Sequence, residues 1–207
     1  MKKAFILGCT MLFCFNKLTA QFSVDLETGL NLFKFKEINN SISYSKNIYY
    51  GINPNYNLKK KWNFGFGVQY SKNFVNFNQI VDYQLDILDL VPKVAYRWNK
   101  NMDLYTGIKF GLTLNEKSKL HDELIWKNSR QNVVTTRFYS FLVGLNYHFD
   151  NFFLNINYNY GLEKLVKTTD FARLPIIGVG LVEFRLNEYN YQHFQIGIGY
   201  RLNFTKK

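Results

Sequence analysis

Few side chains in this 207-residue chain have the chemistry to catalyse a reaction or hold an ion. It has three histidines, His121, His148 and His193, and two cysteines, Cys9 and Cys14. A serine activated by a histidine base is the simplest nucleophile such a set allows, and Ser140 is the candidate. Its spacing is unfavourable. Ser140 and His148 share one extended segment and stand about 26 Å apart at about 3.3 Å per residue, too far to touch. His193 reaches Ser140 only if the segment 163–190 folds back. The histidines are scattered and both cysteines lie in the first 20 residues, so no metal-ligand spacing is present. No catalytic residue, metal or cofactor is expected. What remains is ionic: Asp25, Glu27, Lys93, Arg97, Lys109 and Arg201. Buried charges are tolerable only when paired. Arg201 is expected to pair with Asp25 or Glu27, while Lys93, Arg97 and Lys109 fall on two adjacent segments. The reading is a structural ion network, with a solute or proton path as the alternative.

The segments that place these charges are strands. Residues 194–204 set Phe194, Ile196, Ile198, Tyr200, Leu202 and Phe204 on one face, and Gln195, Gly197, Gly199, Arg201 and Asn203 on the other. The same alternation recurs over 22–32, 51–58, 64–71, 90–98, 104–114, 139–149 and 152–161. Lys59-Lys60-Lys61, Asn99-Lys100-Asn101 and Asp150-Asn151 make short turns. The stretches 34–46, 72–87, 115–137 and 163–190 are expected to be long loops. Such strands carry more apolar area than a small interior holds, so the oily face must meet lipid. A lysine or arginine at the lipid midplane costs about 2–4 kcal/mol, and the six charges above all fall on the other face. So do Gly29, Gly51, Gly65, Gly67, Gly107, Gly111, Gly144, Gly161, Gly197 and Gly199, which relieve crowding in a barrel barely wide enough for its own side chains.

The expectation is therefore an all-β, eight-stranded antiparallel up-and-down transmembrane β-barrel, its short turns and both ends on one side and its long loops on the other. Aromatic residues form two girdles. Trp62, Phe64, Trp98, Tyr147, Phe149, Phe152, Tyr200 and Phe204 lie by the short turns, and Tyr49, Tyr70, Tyr139, Tyr160, Tyr189 and Tyr191 by the long loops. Pro54 and Pro92 cannot donate to a ladder and predict a bulge or an early break. The fourth long loop is unusually apolar. Leu174, Ile176, Ile177, Val179 and Phe184 form either a strand pair rising above the membrane or a surface for a partner. Trp126, among charges in the third, fits a solvated loop.

Residues 1–20 read as a secretory signal: Lys2 and Lys3, an apolar run from Ala4 to Phe15, then Thr19-Ala20 before Gln21. Cleavage after Ala20 leaves 21–207 as the barrel domain, free of cysteine. The formal charge is +11, and removing Lys2, Lys3 and Lys17 leaves +8, dispersed over turns and loops. Without a clustered basic footprint, nucleic acid is excluded as a partner.

With Thr19-Ala20 before Gln21, Leu90-Val91-Pro92 leading to Tyr96-Arg97-Trp98, and the closing run Gly197-Ile198-Gly199-Tyr200-Arg201-Leu202-Asn203-Phe204, the chain resembles the outer-membrane β-barrel family common in Bacteroidota, the PorT-like group. The closing run also resembles the terminal signal read by the barrel-assembly machinery, though Thr205-Lys206-Lys207 follow it. The resemblance implies a fold and an integral outer-membrane location more than a task. The expected role is structural or interactive, through the outer loops. Outer-membrane lipid, the assembly machinery and an extracellular or periplasmic protein are the expected partners. A narrow channel for small solutes is the first alternative, and a lipid-modifying enzyme the second.

Overall fold

The computed structural model of the chain describes residues 22–35, 44–59, 61–77, 81–120, 125, 127–128, 137–166, 172–176, 180–184 and 189–204. The expected leader, His121, Trp126, Ile177 and Val179 lie outside the described residues. The strands are β1 (Phe22–Phe35), β2 (Tyr44–Lys59), β3 (Trp62–Phe77), β4 (Val81–Arg97), β5 (Met102–Leu120), β6 (Lys127–Asn128), β7 (Arg137–Phe149), β8 (Phe152–Val166), β9 (Ala172–Ile176), β10 (Gly180–Phe184) and β11 (Tyr189–Phe204). Eight of them, all but β6, β9 and β10, pair antiparallel with their neighbours, and β1 joins β11 to close the ring. The fold is a closed, eight-stranded antiparallel barrel. The short β6 pairs only with β5, and β9 with β10 forms a separate two-stranded ladder.

Alternation decides which face is which. On β8, Phe153, Asn155, Asn157 and Asn159 are buried, while Phe152, Leu154, Ile156, Tyr158 and Tyr160 are exposed. Across the middle of the eight ring strands the outward set is aliphatic or aromatic, save Thr28 and Thr106, whose hydroxyls donate to backbone carbonyls, so the solvent of this barrel's outer face is acyl chain. Phe64, Trp62, Trp98, Tyr147, Phe149, Phe152, Tyr200 and Phe204 all stand outward by the short turns, and Tyr70, Tyr139 and Tyr160 outward toward the other end. Tyr49 departs from the expected girdle. It shares the parity of Gly51 and Asn53, and its side chain is fully enclosed in the lumen.

The ladders also outrun the alternation. The expected loop over 72–87 is strand for most of its length, because β3 continues to Phe77 and β4 begins at Val81. A strand needs only about 9–11 residues to cross a bilayer, so these strands project beyond it. There both faces are wet and the oily-out pattern lapses, as at Lys72 opposite Asp86, while the hydrogen bonds continue. The two prolines interrupt ladders without bulging them. The β2–β3 pairing passes from Ile52↔Val68 to Asn55↔Gly65 across Pro54, and β4–β5 passes from Leu90↔Phe110 to Lys93↔Gly107 across Pro92, with no change of register. The register shifts fall elsewhere, at Asn57/Lys59, at Asp86/Ile87 and, where β11 meets β8, at Tyr189/Asn190 and Asn190/Gln192.

Candidate functional site

The lumen is where polar chemistry collects, and its side chains stack in layers. Near the short-turn end, Asp25 of β1 lies directly opposite Arg201 of β11. Arg201 donates to it twice, Nε to Oδ1 at 2.7 Å and Nη2 to Oδ2 at 2.9 Å. This is the bidentate geometry in which a guanidinium holds a carboxylate best. Asp103 is the second carboxylate of this layer. Its Oδ2 lies 2.9 Å from His148 Nε2 and 3.7 Å from Arg201 Nη1, and its Oδ1 accepts from Arg97 Nε at 3.3 Å.

The second cluster sits deeper, around Lys109 of β5. Its ammonium donates to Gln69 Oε1 at 2.9 Å and Gln195 Oε1 at 3.2 Å, and lies 3.5 Å from Asp89 Oδ2 and 3.4 Å from His193 Nε2. The two glutamines relay outward. Gln69 donates its amide to Glu27, and Gln195 donates to Asn31. Lysine offers three donors and no acceptor, so this cage of side-chain acceptors is what makes a buried ammonium tolerable. Between the clusters runs an asparagine ladder on β8, Asn159 to Asn157 to Asn155, each amide donating to the next carbonyl at 2.6–2.8 Å. Asn155 also donates to Tyr105 Oη and Asn146 Oδ1 at 2.6 Å.

The six charges read from sequence are thus placed in distinct groups. Asp25, Arg97 and Arg201 belong to the short-turn layer, Glu27 and Lys109 to the deep cage, and Lys93 to neither. Lys93 Nζ lies over the Tyr105 ring, 5.1 Å from its centroid. Both remaining acids of these clusters, Asp89 and Asp103, escaped the sequence reading, although each shares the inward parity of a charge already read, Asp89 with Lys93 and Asp103 with Lys109. Of the nucleophile candidates, Ser140 is wholly enclosed and its Oγ has no hydrogen-bond partner. His193 reaches the lumen on β11 itself, with no folded-back loop, but its Nε2 is turned to Lys109. His148 is committed to Asp103.

Two apolar features bound this filling. Above the Lys109 cage, Leu85, Ile87 and Phe138 turn inward and are 0–2% exposed. On the lipid side, Leu26, Thr28, Tyr50, Ile52, Val68 and Tyr70 line an open groove of about 600 Å³. The Thr28 hydroxyl is satisfied there by donating to Tyr49 O at 2.9 Å. In the apolar cluster, Leu174, Ile176 and Phe184 occupy the β9–β10 ladder opposite Val182, Gly180 and Ala172.

A closed ring of eight strands with an oily outside and an ion-paired, hydrogen-bonded inside is a small outer-membrane barrel. The chain belongs to the outer membrane protein beta-barrel domain family, whose model matches residues 16–167. Among solved structures it is similar to Neisserial surface protein A, with 16% identity over 89% of this chain and 99% of that one and a TM-score of 0.52. It is also similar to the attachment invasion locus protein Ail of Yersinia pestis in complex with the heparin analogue sucrose octasulfate, with 13% identity over 89% of this chain and 100% of that one and a TM-score of 0.51. At these identities the likeness is one of fold. No curated protein matches the chain.

Proposed function

We propose that the chain is a structural or interaction protein of the outer membrane that presents its outer loops and strand extensions to a partner, and that it is not an enzyme. The observation that carries this reading is the closed lumen. Lys109, His193 and Gln195 are 0–1% exposed, and further along the lumen Leu85, Ile87 and Phe138 are buried as well, beside the buried Ser71 and Asn73. A solute path needs continuous open space, and side chains enclosed to this degree fill the lumen at these levels. A catalytic serine needs a base and a route for substrate, and among the described residues Ser140 is enclosed with no hydrogen-bond partner for its Oγ. Among the described residues, β3, β4 and β5 are 16–19 residues long, more than a crossing needs, and the β9–β10 ladder is separate from the ring. The reading includes export by a leader cleaved after Ala20, insertion by the assembly machinery through the 197–204 run, and placement in the PorT-like group of Bacteroidota.

Reconstitution separates the alternatives. In planar bilayers the folded barrel is expected to give no steady single-channel conductance and no lipid turnover. Steady conductance would replace this reading with the narrow channel, and turnover with the enzyme. A pull-down with the folded barrel, against a form lacking 172–184, then identifies what the hairpin recruits.

A further inference from the structure

The short-turn end is unevenly charged. The β2–β3 connection reads Lys59-Lys60-Lys61, β4 ends in Arg97, and the connection to β5 contains Lys100. The third short turn, Asp150-Asn151, has no cation. The first two turns are held together, since Arg97 N donates to Lys61 O at 2.7 Å. Lys61 and Lys100 are exposed, and among the described residues neither meets a carboxylate. Arg97 engages Asp103 through Nε alone, with its side chain 39% exposed, so its Nη groups remain for another acceptor.

Aromatic rings stand directly beside these cations. Trp62 and Tyr96 pack edge to face at 5.1 Å between centroids, and Lys61 Nζ lies 5.8 Å from the Tyr96 ring and 3.5 Å from its hydroxyl. Trp98, next to Arg97, is 66% exposed. Phe64, Val94 and Leu104 begin the lipid-facing belt immediately beyond. Indole and phenol rings settle at the headgroup level of a bilayer, so cations one step outside them sit at the height of lipid phosphates.

We infer that this corner binds the phosphate of an anionic phospholipid in the periplasmic leaflet, with Lys61, Lys100 and the Arg97 Nη groups as donors. Trp62, Tyr96 and Trp98 flank the glycerol and upper acyl chains. The inference rests on the barrel reading above, with the short turns in the periplasm. It gives the barrel a fixed lipid contact on one side of its girdle and none at Asp150-Asn151.

The test uses the full chain folded in nanodiscs of phosphatidylcholine mixed with phosphatidylglycerol, with the lipids it retains counted by native mass spectrometry. The wild-type barrel is expected to retain phosphatidylglycerol over phosphatidylcholine. Each lysine contributes roughly a fivefold preference, the equivalent of about 1 kcal/mol per surface cation. Lys100→Gln is therefore expected to lower the ratio about fivefold and the Lys61→Gln/Lys100→Gln pair about 25-fold, while Lys117→Gln at the opposite end leaves it unchanged. Equal retention of the two lipids by the wild type, or a ratio indifferent to Lys100→Gln, overturns the site. Displacement of the lipid by millimolar inorganic phosphate overturns the lipid assignment in favour of a simple anion site. Heat-modifiable gel migration reports folding separately, and a wild-type chain without it refutes the barrel rather than the corner.

Discussion

Four aromatic side chains that turn into the lumen each lie directly across the ladder from a glycine: Tyr49 from Gly29, Tyr105 from Gly144, Phe138 from Gly111 and Phe153 from Gly199. A methyl at Gly111 would overlap the Phe138 ring, and one at Gly144 or Gly199 would overlap Tyr105 or Phe153. These four glycines therefore serve as seats for particular rings, while Gly51, Gly65 and Gly67 make room for Glu27, Asn55 and Asn53. Gly111→Ala is expected to destabilise the folded barrel by about 1–3 kcal/mol, the usual cost of overpacking. Urea titration followed by gel mobility measures it. The Lys109 cage makes a second prediction. Lys109→Met leaves Asp89 buried without its cation and is expected to cost about 3–5 kcal/mol in the same titration. Adding Asp89→Leu removes the stranded charge and is expected to restore most of that loss. If the double variant is as weak as the single one, the Lys109–Asp89 pair is not what holds this layer.

At the scale of elements, the membrane-spanning part of every strand was legible, because there a strict two-residue period meets two different solvents. Arg201 could be assigned to Asp25 or Glu27 from sequence for the same reason, since ring closure brings the first and last strands together, and the register selects Asp25. What was hidden lies where one solvent is missing. Above the bilayer, Lys72 and Asp86 stand on the outward face, so the alternation that announces a strand stops before the ladder does. The loop assigned to 72–87 hid Leu85 and Ile87, which turn into the lumen opposite Asn73 and Ser71. Asp103 was passed over because it opens β5 beside a turn. The β9–β10 ladder belongs to this scale too. Among the described residues it pairs only with itself, so removing 172–184 is expected to leave heat-modifiable migration and the urea midpoint within experimental scatter. A large loss of stability on deletion would mean that the hairpin is an integral part of the barrel.

The whole molecule inverts a water-soluble barrel, with its apolar side chains spent on the outer surface and its asparagines, glutamines and ions closed inside. Aromatic rings mark both ends of the oily belt, and a basic corner marks one of them. The central claim is that orientation, and proton NMR of the barrel in nanodiscs carrying a doxyl-labelled fatty acid tests it directly. The methyl signals of Leu154, Ile156, Ile196 and Ile198 are predicted to broaden beside the acyl-chain label, while those of Ile87, Val91 and Leu142 stay sharp. Broadening of the second set with the first set untouched would contradict the account.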